Sequence, residues 1–183
     1  MPIASSASAL AALLLGVTAA PPLAREPSAG EAATSVSYRV EGSRTLLSIR
    51  TGTGPRRALR VRRDATVSPT AEPTSVRVIG ELEGAAVILV DTYPSIPGGM
   101  SYCQAGEESF LRVISVRRSP PVETFRVKVG SCREDIELAS PGIEWAAGSA
   151  TLRIHWLSGP TGKPETRTVR IGSDGKPVHS GER

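Results

Sequence analysis

The chain has 183 residues and a net charge of +4 at pH 7, and it contains two cysteines and two histidines. The cysteines, 103 and 132, and the histidines, 155 and 179, do not have the ligand spacing of a zinc cluster. Beyond the first two dozen residues no segment is apolar enough to span a bilayer, so an integral membrane segment in the mature chain is excluded at this level.

The chain begins with an apolar core at 9–17, followed by the small residues Val17-Thr18-Ala19. A membrane-crossing helix needs about 20 apolar residues, so this shorter run reads as a secretory signal peptide over 1–19. Cutting after Ala19 keeps Pro21 one residue away from the scissile bond. The mature product is then expected to be soluble and periplasmic or secreted. Residues 20–34 carry Ala, Pro, Ser and Glu without periodicity and read as a disordered leader. A single domain is expected over 35–178, with a flexible tail at 179–183.

From Ser35 onward the dominant period is two. Val36, Tyr38 and Val40 alternate with polar residues, and Leu46 to Arg50 follow after Glu41-Gly42-Ser43. A Gly/Pro turn over 51–55 leads into a strand from Leu59. Two prolines within 68–74 exclude a central strand there and mark a connection between sheets. Next come Val76 to Leu82, the continuous apolar run 85–90 and the pair Phe110 to Val116 and Phe125 to Val129. Leu152 to Trp156 and Val169 to Ile171 close the domain. The unbroken run 85–90 is expected to be buried on both faces. With no amphipathic helix, the reading is all-β: an antiparallel β-sandwich or partly open barrel of nine to ten strands.

Cys103 and Cys132 are the only two cysteines, and in an exported chain they are expected to form one disulfide. The bridge would staple the open end of the hairpin formed by Phe110–Val116 and Phe125–Val129. The stretch 91–108 between them and the preceding strand reads as a long loop, and long loops in compact β-domains tend to carry function. Tyr93, Tyr102, Gln104, Glu107 and Glu108 are its candidate contact residues for another protein.

Basic character is concentrated. Residues 39–63 hold eight arginines against the single carboxylate Glu41. In Leu59-Arg60-Val61-Arg62 the alternation puts the arginines on one face. Arg56, Arg57, Arg60, Arg62 and Arg63 are therefore candidate contacts for an anionic envelope surface. Nucleic acid is not expected, because no recognition motif accompanies the charge and export removes the target.

No catalytic motif is present: neither G-x-S-x-G nor H-E-x-x-H occurs, and no cofactor or metal is expected. The remaining catalytic material is acidic, Glu107-Glu108 and Glu134-Asp135, which would have to act as a carboxylate pair. The leading expectation is an exported non-catalytic binding protein; its sharper version is an inhibitor or immunity-like partner of an envelope-acting enzyme. The alternative is an accessory envelope protein that uses its arginine-rich strand, and an enzyme with an acidic pair ranks third.

Overall fold

The computed structural model describes residues 34–42, 44–96 and 106–178. The expected signal peptide, nearly all of the leader, the tail, and Tyr102, Cys103 and Gln104 lie outside the described residues. Eleven strands are formed among the described residues, β1 (Ser35–Glu41), β2 (Arg44–Arg50), β3 (Arg57–Arg62), β4 (Ser75–Leu82), β5 (Ala86–Pro94), β6 (Glu107–Ser115), β7 (Val122–Ser131), β8 (Glu137–Ala146), β9 (Thr151–Ser158), β10 (Glu165–Ile171) and β11 (Pro177–Val178). The only helical element among the described residues is a 3-10 turn at Ala147–Ser149.

The strands form three antiparallel sheets, each a run of sequence neighbours: β1-β2-β3, β4-β5-β6-β7 and β8-β9-β10-β11. The proline-bearing segment expected to join sheets does so, since it lies between β3 and β4. Eleven strands exceed the nine to ten expected, and β8 and β11 are the two outside the runs read from the sequence. β11 is only two residues long. β8 is hidden by Ser140-Pro141-Gly142, which lies where the register jumps from Leu138↔Trp156 to Ile143↔Ile154. A bulge frees Pro141 from donating to the ladder, so a proline is tolerated inside the strand.

The second sheet is packed on both faces. On one side Ile88, Val90, Leu111 and Val113 join Leu152, Ile154, Trp156 and Ile171 of the third sheet in one core. On the other, Val87, Leu89, Ile114 and Val116 join Leu47, Ile49 and Val61 of the first sheet. Alternate residues of a strand point to opposite faces, so β5 needs apolar side chains at every position to feed both cores. This double burial is what its unbroken apolar sequence predicts. The first sheet is an outer layer, with one face in the core and the other in solvent.

Two glycines fix how the layers meet. A Cβ at Gly80, at the β4 bulge, would lie 2.1 Å from Cδ1 of Trp145 on β8, so the indole rests directly on the β4 backbone. Gly175, in the turn before β11, has φ +75°, and a Cβ there would lie 2.5 Å from the Ala85 carbonyl oxygen. Ser115 Oγ and Thr124 Oγ1 donate to the carbonyls of Asp174 and Gly175, tying that turn to β6 and β7.

The expected loop over 91–108 is much shorter. β5 runs to Pro94 and β6 starts at Glu107, so Tyr93 and Glu108 form a cross-strand pair. Cys132 directly follows β7, and none of the described cysteines is free.

Candidate functional site

The outward face of the first sheet follows from strand alternation. Thr45, Leu47 and Ile49 of β2 and Leu59 and Val61 of β3 point inward, leaving Arg44, Arg50, Arg60 and Arg62 on the solvent side. Arg39 of β1 pairs with Leu46, which in turn pairs with Arg60, so these residues form one row across the sheet. With Arg56, six exposed arginines occupy this side. Glu41 is the one carboxylate among them, and it bonds both Arg60 (3.0 Å) and Arg39. Hydrogen bonds from Arg60, then Arg39, hold the Glu41 carboxyl below its ordinary pKa.

Arg44 and Arg62 face each other directly across β2 and β3. Like charges opposite one another destabilise a sheet by a few tenths of a kcal/mol up to about 1 kcal/mol. No other carboxylate of β1, β2 or β3 is available to offset this, because Glu41 is the only acidic residue in these strands.

Beneath this sheet, at the end of β5 and the start of β6, the inward face of the second sheet changes from apolar to charged. Asp91 and Arg112 are both fully buried. Arg112 Nε donates to Asp91 Oδ1 at 2.7 Å and Oδ2 at 2.9 Å, and Nη1 donates to Glu123 at 3.0 Å. Burial lowers the pKa of the Arg112 guanidinium, but Asp91 outweighs it and the net direction is upward. The Tyr93 hydroxyl donates to Asp91 Oδ2 at 2.7 Å and lies 3.2 Å from Thr45 Oγ1 of the first sheet. Burial, then the neighbouring Asp91 charge, pushes that phenol far above its ordinary pKa.

A second carboxylate, Glu108, is also fully buried. It accepts from Ser131 Oγ at 2.6 Å and Ser95 Oγ at 2.7 Å, and Thr66 Oγ1 lies 3.0 Å from it. Lys128 Nζ lies 3.5 Å from it and 3.4 Å from Asp64. Between the two carboxylates the Phe110 ring has Arg112, Lys128 and Arg126 over it at 5.4, 5.6 and 5.9 Å. Burial pushes the Asp64 carboxyl up, but hydrogen bonds from the Thr66 N–H and hydroxyl, with Lys128, leave it below its ordinary pKa.

The structure redistributes the sequence candidates. Tyr93 and Glu108 are fully buried and belong to this network, so neither offers a surface to a partner. Glu107 is exposed and accepts from Thr74 Oγ1 at 2.9 Å. As strand neighbours, Glu107 and Glu108 point to opposite faces and do not converge on one substrate. Glu134 is paired with Lys128 at 2.7 Å, and the neighbouring Asp135 has φ +55° in the turn after β7. Arg56, Arg60 and Arg62 are exposed as expected. Arg57 and Arg63 are not part of that face. Arg57 is half-buried and donates to the Val116 carbonyl, whereas Arg63 is buried with Nε 3.3 Å from Thr45 Oγ1. Arg44 and Arg50 of the neighbouring β2 and Arg39 of β1 take their place, on strands that a reading of β3 alone does not reach. The sequence signal missed for the buried pair is Arg112 itself, a lone charge within Phe110-Leu111-Arg112-Val113-Ile114.

Among the described residues no helix is long and apolar enough to cross a membrane, and no three His, Cys, Asp or Glu side chains gather as a metal site. Compared with known proteins, the chain matches no family model, no curated protein and no solved structure.

Proposed function

We propose that this is an exported, non-catalytic binding protein that uses the outward face of its first sheet against phosphate-bearing envelope surfaces. The observation that carries this reading is the set of six exposed arginines facing one carboxylate that is already engaged by two of them. A guanidinium pairs with phosphate oxygens through a planar fork of donors, which suits a surface made of many phosphates. Export through the segment 1–19, a Cys103–Cys132 bridge and a sandwich of stacked sheets belong to the same proposal. The rival surface, the end of the β5–β6 hairpin, loses Tyr93 and Glu108 to the interior and keeps Glu107 among its described candidates.

The test is sedimentation with vesicles. The protein is expected to pellet with vesicles containing anionic lipid at low salt, to remain in solution with zwitterionic vesicles, and to be released in half-molar salt, since screening at that strength is strong. Each arginine near an anionic membrane contributes about 1 kcal/mol, so changing Arg44, Arg50 and Arg60 together to Gln should weaken partitioning roughly a hundredfold. Equal sedimentation with anionic and zwitterionic vesicles, or an unaffected triple variant, would count against the reading.

A further inference from the structure

The turns that follow β2, β4 and β6 meet at one end of the first two sheets. There Thr51, Arg57, Gly84, Val116 and Arg117 line a cavity of about 280 Å³. Arg57 starts β3 and shares the parity of the buried Val61, so it points inward, toward the second sheet. Its Nη1 donates to the Val116 carbonyl, which places the guanidinium beside a second lining residue. Arg117 follows Val116 in the chain and is exposed. The two arginines thus reach one cavity from facing sheets.

No carboxylate lines this cavity. Among the described residues neither Arg57 nor Arg117 forms an ion pair. Glu83, next to Gly84 in the chain, is exposed and pairs with neither of them. Arg57 is half-buried, yet unlike Arg63 and Arg112 it has no buried nitrogen without a partner. Its N–H groups not engaged by Val116 therefore reach solvent and are open to a ligand. Three further exposed arginines, Arg50, Arg56 and Arg118, are sequence neighbours of the lining residues. Two like charges on one cavity wall repel each other, and an anion seated between them turns that repulsion into attraction.

We infer that this cavity seats one phosphate group, gripped by the guanidinium forks of Arg57 and Arg117. This deepens the proposed function, and rests on it, by giving a phosphate a discrete seat at the end of the arginine-bearing layer. Val116 is the only apolar side chain of the wall besides the arginine stems, and it is 4% exposed. Nothing there favours a carbon skeleton, so inorganic phosphate and glycerol 1-phosphate should bind with similar affinity.

The experiment titrates the full chain with inorganic phosphate and with glycerol 1-phosphate, sodium chloride holding ionic strength constant, and reads the melting temperature and phosphorus NMR line widths. Both ligands are expected to raise the melting temperature and broaden the phosphorus line where chloride does not. Arg117→Gln should weaken binding about tenfold. Arg118→Gln removes the same charge from a residue that does not line the cavity, and should weaken it less than about twofold. Arg57→Gln should abolish the response; if losing the bond to Val116 prevents folding, the comparison of Arg117→Gln with Arg118→Gln decides. A wild-type response identical for phosphate and chloride, or equal losses in Arg117→Gln and Arg118→Gln, would overturn the inference. Vesicles of phosphatidic acid, which expose a monoester, compared with phosphatidylglycerol at matched charge separate the sources of the phosphate. A preference for phosphatidic acid that Arg117→Gln removes identifies a lipid headgroup, and equal retention with a response to soluble phosphate identifies a free one. The phosphate response is read without vesicles, and retention is read without added phosphate. Vesicle retention without a phosphate response therefore removes the cavity alone, and a phosphate response without retention removes only the surface reading.

Discussion

Asp91 accepts from Arg112 and Tyr93 in a place without solvent, so its charge and that of Arg112 are sustained only by each other and by Glu123. Taking away one partner of such a pair leaves a bare buried charge. Asp91→Ala should therefore cost about 3–5 kcal/mol in denaturant unfolding. Replacing both partners, Asp91→Leu with Arg112→Met, should cost less than that single change, because no unpaired charge remains. A double variant at least as unstable as Asp91→Ala would show that shape, not charge balance, dominates the site. In the sequence, Asp91 follows an apolar run and Arg112 interrupts one, which marks both as unusual without revealing that they meet. Their contact depends on the β5–β6 register, in which Asp91 pairs with Phe110, two residues from Arg112.

At the scale of elements, the strands whose residues alternate cleanly or run unbroken in apolar character were readable, as β2, β3 and β5 illustrate. β8 was not, since Ser140-Pro141-Gly142 carries the composition of a turn while sitting in a bulge between paired segments. The docking of β8 on β4 was equally silent. Gly80 reads as an interruption of β4, and only the folded chain shows the Trp145 ring lying against its Cα. Gly80→Ala should displace that indole and destabilise the protein by about 1–3 kcal/mol, accompanied by a shift in tryptophan emission as the ring moves. An unchanged emission spectrum and midpoint would mean that the ring has room to tilt away.

For the whole molecule, β5 and β6 supply side chains to both cores, so neither outer sheet can lose its packing without exposing a strand the other one needs. One cooperative transition is expected. Leu89→Ala weakens the core shared with the first sheet, and Ile154→Ala weakens the core shared with the third. Each should lower stability by about 2–5 kcal/mol. Both tryptophans are associated with the core on the third-sheet side. Tryptophan fluorescence and far-ultraviolet circular dichroism should nevertheless move together in Leu89→Ala; a dichroism change preceding the fluorescence change would show that the first sheet unfolds separately.

Composition, periodicity and proline placement by themselves determined that this chain is built of antiparallel strands, that its apolar stretch 85–90 lies between layers, and that arginine gathers in the first layer. These are consequences of local chemistry, because side-chain alternation and turn residues act over a few positions. Tertiary structure alone decided which charges face outward and which inward. Arg62 and Arg63 are adjacent in sequence, and one is exposed on the outward face of the first sheet while the other is buried over Tyr93. Tyr93 and Glu108, expected on a surface loop, are interior because β5 and β6 extend farther than their apolar residues do. Burial of a polar side chain depends on partners supplied by other strands, and no short stretch of sequence contains them.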